Sequence, residues 1–200
     1  MSKRIVIIDC GAHKGEIFRW CVDENWNTKI DKVRGVPFFK ISNVKGAIFH
    51  EFEPNIAMIE KLCSIKKEKK DVKIHIHNCL VATEDKVGSY YQVPGFSMMG
   101  TMCKDMKWVD PATEVKVHAI DLCEFVMDNC SSEDYVILKM DIEGGEYEVL
   151  EKFLYHSASL LIKELYVEWH EVKKNKVRLN KLLEHLKENK DSLFYSIWPH

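Results

Sequence analysis

Val136-Ile137-Leu138-Lys139-Met140-Asp141-Ile142-Glu143-Gly144-Gly145-Glu146 runs from an apolar strand straight into an acidic, glycine-bearing turn. Two other segments have the same shape. Ile5 to Asp9 opens into Cys10-Gly11-Ala12-His13-Lys14-Gly15, and Ala47 to Phe52 ends at Glu53-Pro54. The all-β-branched run Ile5-Val6-Ile7-Ile8 fits a parallel strand buried on both faces. In an open parallel α/β sheet, ligands bind where the carboxyl ends of the strands converge. Two ends bearing carboxylates and one bearing glycines describe one ligand crevice.

The elements around these three segments alternate. A helix is expected from about Lys14 to Val22, and residues 23 to 45 are polar and carry no clear assignment. A second helix runs from Asn55 to Lys70. Val72, Ile74 and Ile76 alternate with Lys73, His75 and His77, the period of a half-exposed edge strand. Val87–Val93 and Val115–Ile120 read as strands, separated by a Met-, Gly- and Pro-rich loop from Pro94 to Thr113. Asp121, with Glu124 three residues on, reads as a helix start. A helix through Leu150 and Phe153, a strand from Leu165 to His170, a helix with Leu179, Leu182, Leu183 and Leu186, and a short strand from Leu193 to Ile197 complete the chain. This order predicts one α/β domain over residues 1–200: a mostly parallel central sheet flanked by helices, with an extra β/loop insertion around 83–120.

The 200 residues suit a single domain, and 29 basic against 31 acidic side chains argue against a nucleic-acid track or a membrane field. Seven scattered cysteines with no CxxC pair read as reduced thiols in a cytoplasmic protein. The apolar run at the start is too short for a signal peptide, and nothing approaches the ~20 apolar residues of a membrane span.

Glu53 stands where an acidic residue can accept hydrogen bonds from both hydroxyls of an adenosine ribose. The turn before it carries two glycines and the bulky His13, not the three glycines that usually make room for a pyrophosphate. That pattern favours a phosphate-free nucleoside cofactor over a dinucleotide. The blocks Ile8-Asp9-Cys10-Gly11-Ala12-His13-Lys14-Gly15, Phe52-Glu53-Pro54-Asn55 and Leu138 to Glu146 resemble the signature of FkbM-like S-adenosylmethionine-dependent methyltransferases. His77-Asn78 and Tyr166-Val167-Glu168-Trp169-His170 agree in order and place. The resemblance spans roughly Ile5 to His170 and implies a Rossmann-like class I fold. It implies methyl transfer to a hydroxyl oxygen of a sugar, glycan or similar small acceptor, with S-adenosylhomocysteine as the other product. By position it places Asp9, Gly11, Ala12, His13 and Gly15 around the amino-acid end of the cofactor and Glu53 on its ribose. Asn78, Cys79 and Leu80 fall near the adenine, and Asp141 near the reacting centre. His13 stands where the family usually has Asn. Little sequence follows Ile197, so either the sheet is one strand short of the complete class I pattern or the 87–120 region adds strands.

A hydroxyl needs a base as the new bond forms. The strand period puts Lys139, Asp141 and Glu143 on one side of their strand, and Glu168 and His170 on one side of theirs. His170 is the preferred base, since an ordinary value near ~6.5 suits proton abstraction at neutral pH. Asp141 is the second candidate, and Glu143 or Glu168 could position His170. Asp141, Glu143 and His170 could also hold Mg²⁺ or Mn²⁺, although the reaction does not require a metal. Lys139 could pair with Glu143 or Glu168. His75 and His77 share a face that could bind metal but fits a solvated edge better. The Met98-Met99…Met102…Met106 run fits a mobile substrate lid, and Tyr90 and Trp108 could stack on a sugar.

Three other functions remain open. An RNA ribose 2'-O-methyltransferase would use Lys14, Asp141 and Glu168, but a second lysine is missing from the expected late strand. A dehydrogenase fits the two-glycine turn poorly. A nucleoside-binding module without catalysis would keep the fold alone.

Overall fold

A computed structural model describes residues 3–22, 46–69, 72–93, 96–189 and 194–198, and within these the side chains of Trp20, 96–99 and 194–198 are outside the description. The unassigned 23–45 stretch, and the side chains of Met98 and Met99 of the methionine run, therefore lie outside it.

Among the described residues ten strands form two sheets. The main sheet joins β1 (Ile5–Cys10), β2 (Ile48–Phe52), β3 (Lys73–His77), β8 (Tyr135–Met140), β9 (Ile162–Glu168) and β10 (Phe194–Trp198). Its order is β10-β9-β8-β1-β2-β3, and every described pairing is parallel. The fold is the mostly parallel α/β one that the alternation predicts, and it is Rossmann-like as the resemblance implies. Strand order reverses at β1, so the β1/β8 gap is the switch point where such sheets bind ligands.

The sheet is coated on both faces because its strands are apolar in both directions. Val6, Ile8, Val136 and Leu138 face α3 (Leu122–Asn129), α4 (Glu146–Phe153) and α5 (Val172–Glu188). Ile7, Phe49 and Ile137 face α1 (Glu16–Val22) and α2 (Ile56–Glu68). The helix starts follow capping chemistry. Asn55 accepts from Ala57 N at 3.0 Å, and Asp121 from Cys123 N at 2.9 Å. β3 is the edge strand, with Ile74 inward and Lys73 and His75 exposed, as its alternation predicts.

The 83–120 insertion is a sheet of its own, β4-β7-β5-β6, built from β4 (Leu80–Ala82), β5 (Lys86–Val93), β6 (Phe96–Thr101) and β7 (Glu114–Asp121). It adds no strand to the main sheet, which has six among the described residues. The expected 94–113 loop is in part strand, because β6 pairs antiparallel with β5. Gly100 permits the pairing: any Cβ there would overlap the ring of Tyr90. Tyr90 is consequently only 4% exposed and is core, which removes it as a stacking platform for a sugar. Met102 and Met106 pack against Gly145 and Gly144, so the small sheet is fastened onto the acidic turn after β8. All seven cysteines are free, and no described helix is long and apolar enough to cross a membrane.

Candidate active site at the strand ends

The turn after β1 crosses directly onto its neighbours. Gly11 N and Ala12 N donate to Phe52 O at 3.0 and 2.9 Å, and Asp141 N donates to Cys10 O at 3.0 Å. Gly11 has φ +84°, and a Cβ there would overlap the carbonyl oxygen of Asp141. Gly15 has φ +77°, and its Cβ would press on Leu62 and Ile65 of α2. Both glycines are therefore demanded by internal packing. His13 is left-handed too, at φ +51°. His and Asn both tolerate that region, which explains how His13 can stand in a position usual for Asn. The conformation turns His13 N toward Glu53 Oε2, 2.8 Å away. Asn55 N donates to Glu53 Oε1 at 2.8 Å. Burial raises Glu53 above its ordinary value, and these two backbone donors oppose the rise.

Asn78 donates from Nδ2 to Glu53 O and Pro54 O, both at 3.0 Å, bracing the β2 end. Cys79 and Leu80 are each 6% exposed and turn into separate cores, so an adenine would meet them chiefly through backbone. Asp9 is fully buried. It lies beneath the turn, not on its surface, because its charge is held by Lys139, whose Nζ is 3.0 Å from Oδ1. Lys139 also donates to Gly11 O at 2.8 Å and lies 3.4 Å from Asp141 Oδ2. It thus pairs with Asp9 and Asp141, not with Glu143 or Glu168. Burial pulls Lys139 down, but the two aspartates outweigh that and hold it firmly charged.

β8 and β9 bring the remaining residues together. His170 follows β9 by two residues and is ringed by carboxylates: Glu146 Oε1 at 2.9 Å from Nδ1, with Glu143 at 3.4, Asp141 at 3.8 and Glu168 at 4.0 Å from Nε2. Glu143 and Glu171 hold left-handed φ of +54° and +50°, and strained backbone of this kind clusters at functional sites. Thr101 of β6 donates to Glu143 O, and Tyr147 donates to His170 O at 2.8 Å, so the strain is braced from both sides. Asp141, Glu168 and His170 offer donor atoms all within 4.8 Å of one another and could hold a divalent ion, a set that shares Asp141 and His170 with the expected Asp141, Glu143 and His170.

The carboxylates reset the histidine. Burial lowers His170, but the Glu146 hydrogen bond and the charges of Glu146, Glu143 and Asp141 raise it to about 9. The ordinary value assumed for it from sequence does not survive folding. Burial and the neighbouring charge of Asp141 raise Glu168 to about 7. Glu146 had no role assigned from sequence. It is fully buried and accepts from Ile142 N at 3.0 Å and Gly144 N at 2.9 Å as well as from His170. An acid in the first turn of a helix ordinarily signals a dipole contact, and only the fold aims this one at His170.

Elsewhere, Lys14 Nζ pairs with Glu16 at 3.4 Å, outside the cluster. His50 Nδ1 and His77 Nε2 are 3.1 Å apart in a stack closed by Phe52 and Phe125. Burial and the neighbouring imidazoles hold both near about 4, so the face expected to be solvated at His77 is half-buried.

The sequence profile described as the Methyltransferase FkbM domain matches residues 9–193. The chain belongs to the FkbM methyltransferase family. No curated protein and no solved structure matches it. An FkbM methyltransferase implies S-adenosylmethionine as methyl donor, and the residues fit it at one decisive place. A carboxylate offers about four acceptor positions. Backbone donors fill two on Glu53, which leaves acceptors at the β2 end for a ribose diol.

Proposed function

We propose that this FkbM methyltransferase transfers a methyl group from S-adenosylmethionine to a hydroxyl oxygen of a sugar, glycan or similar small acceptor. The observation that carries the reading is the convergence of Asp141, Glu143 and Glu168 on His170 Nε2 at the ends of β8 and β9, in the sheet whose next strands, β1 and β2, end at the Gly11 and Glu53 turns. When bound, S-adenosylmethionine supplies a methyl group on a positively charged sulfur, already a good leaving group. The chain's own residues must orient the acceptor and remove its proton. At neutral pH Glu168, at about 7, is divided between its two forms and can take that proton. His170, at about 9, is a cation there. It therefore serves to hold the carboxylates and the acceptor oxygen in place, and the role of base moves from His170 to Glu168. Lys139 and Asp141 fix the floor of the cluster.

Calorimetric titration with S-adenosylhomocysteine, followed by radiolabelled methyl transfer to a panel of sugars, tests this reading. Micromolar binding with label in a hydroxyl of the acceptor is the expected result. Glu53→Ala is expected to weaken binding about tenfold or more, since a charge-assisted bond to a hydroxyl contributes about 1.5–3 kcal/mol. An unchanged affinity in that variant would remove Glu53 from the ribose.

A further inference from the structure

Glu51 has no part in the chemistry above, yet it is sealed directly beneath it. Strand registers set Ile76, Glu51, Asp9, Lys139 and Tyr166 in one row across β3, β2, β1, β8 and β9. Residues paired this way share a face of the sheet. Asp9 and Glu51 are both 0% exposed and Lys139 is 3% exposed. The row therefore buries two carboxyls against one ammonium, which Asp141 also shares at 3.4 Å. Lys139 Nζ lies 3.0 Å from Asp9 Oδ1, whereas neither oxygen of Glu51 has a hydrogen-bond partner among the described residues if Glu51 is written as an acceptor. An uncompensated buried carboxylate costs several kcal/mol, so such a group takes up a proton instead. Lys139 is paired with Asp9, which leaves Glu51, one strand further away, as the carboxyl that protonates. A protonated carboxyl is a donor, and the acceptor opposite it is Asp9.

We propose that Glu51 carries a proton at neutral pH and donates it to Asp9, making Glu51 a positioning residue for Lys139 and the reaction centre above it. The chain of contacts is Glu51 to Asp9, Asp9 to Lys139, and Lys139 to Gly11 O and Asp141. The groups acting on Glu51 are Asp9 and Cys10 of β1, Lys139 of β8, and Glu16 and Cys21 of α1, while β3 presents Ile76. Burial pushes Glu51 well above the carboxylate range, with Asp9 adding to the rise and Lys139 opposing it. A folded value raised above the unfolded one gives stability that is complete at acid pH and is lost as pH rises through the folded value.

The test compares wild type, Glu51→Gln and Glu51→Leu by thermal unfolding from pH 6 to 10, without cofactor. Glu51→Gln keeps a donor toward Asp9 and cannot ionise. It is expected to melt at least about 3 °C above wild type at the alkaline end, with the gap closing toward pH 6. Parallel melting curves for the two, or a Glu51→Gln protein less stable than wild type throughout, overturn the proposal. The positioning role rests on the methyl-transfer reading and is read separately. Glu51→Leu is expected to lose about tenfold or more in turnover, and Glu51→Gln to restore it, as small displacements at a reacting centre cost large factors. Equal turnover in all three variants overturns positioning, whereas absence of any turnover in wild type counts against methyl transfer and leaves the melting result standing. If Glu51→Leu does not fold, the Gln comparison still decides the protonation state.

Discussion

Glu168→Gln is expected to lower methyl transfer by about 10²- to 10⁴-fold while changing S-adenosylhomocysteine affinity less than about twofold. The substitution keeps the shape and hydrogen-bonding reach of the side chain and removes its capacity to accept a proton. The pH profile identifies the group independently. A base must be unprotonated to act, so turnover rises as pH climbs through the Glu168 value of about 7. The imidazolium of His170 must keep its proton, so turnover falls as pH climbs through about 9. A bell with those two limbs is the expected wild-type profile, reported as apparent values of a coupled cluster. Glu168→Gln should erase the lower limb. His170→Ala should keep cofactor binding and erase the upper one. A single rising limb near 9 that survives Glu168→Gln would instead make His170 the base.

Gly11→Ala is expected to destabilise the protein by about 3 kcal/mol or more, a fall in melting temperature of about 6–12 °C for a domain of this size. Two costs combine. The left-handed φ of +84° costs a residue with a Cβ about 1–2 kcal/mol. The Cβ would also overlap the carbonyl oxygen of Asp141, which is rigid backbone and cannot rotate away. The end of β8 must then move, and Asp141 with it, so turnover should collapse along with stability. Gly46 is the internal control. It has nearly the same φ, +82°, but among the described residues nothing lies within 4 Å of its would-be Cβ. Gly46→Ala should therefore cost only the conformational part, about 1–2 kcal/mol. Equal losses in the two variants would mean that the clash with Asp141 contributes nothing.

The residues that this site needs are mostly short-range signals. The Ile5–Ile8 and Val136–Leu138 runs read as buried strands, and the acids and glycines at their ends as turns. Period two then puts Lys139 beside Asp141 and Glu168 beside His170, so the cluster was legible from the chain. The Pro94–Thr113 region was not, because β6 is a strand only by virtue of its antiparallel pairing with β5 and the hollow that Gly100 leaves for Tyr90.

What the sequence by itself determined is which segments are strands, which turns end them and which functional groups those turns carry. These follow from side-chain period and local backbone freedom, properties of neighbours along the chain. Only the tertiary structure decided what those groups are. Register placed Glu51 opposite Asp9, helix α4 aimed Glu146 at His170, and burial raised Glu168 to about 7 while the carboxylates of Glu146, Glu143 and Asp141 outweighed it at His170. Coulomb energies and desolvation depend on distances across the sheet and on excluded water. A linear order of residues holds neither quantity until the strands have paired.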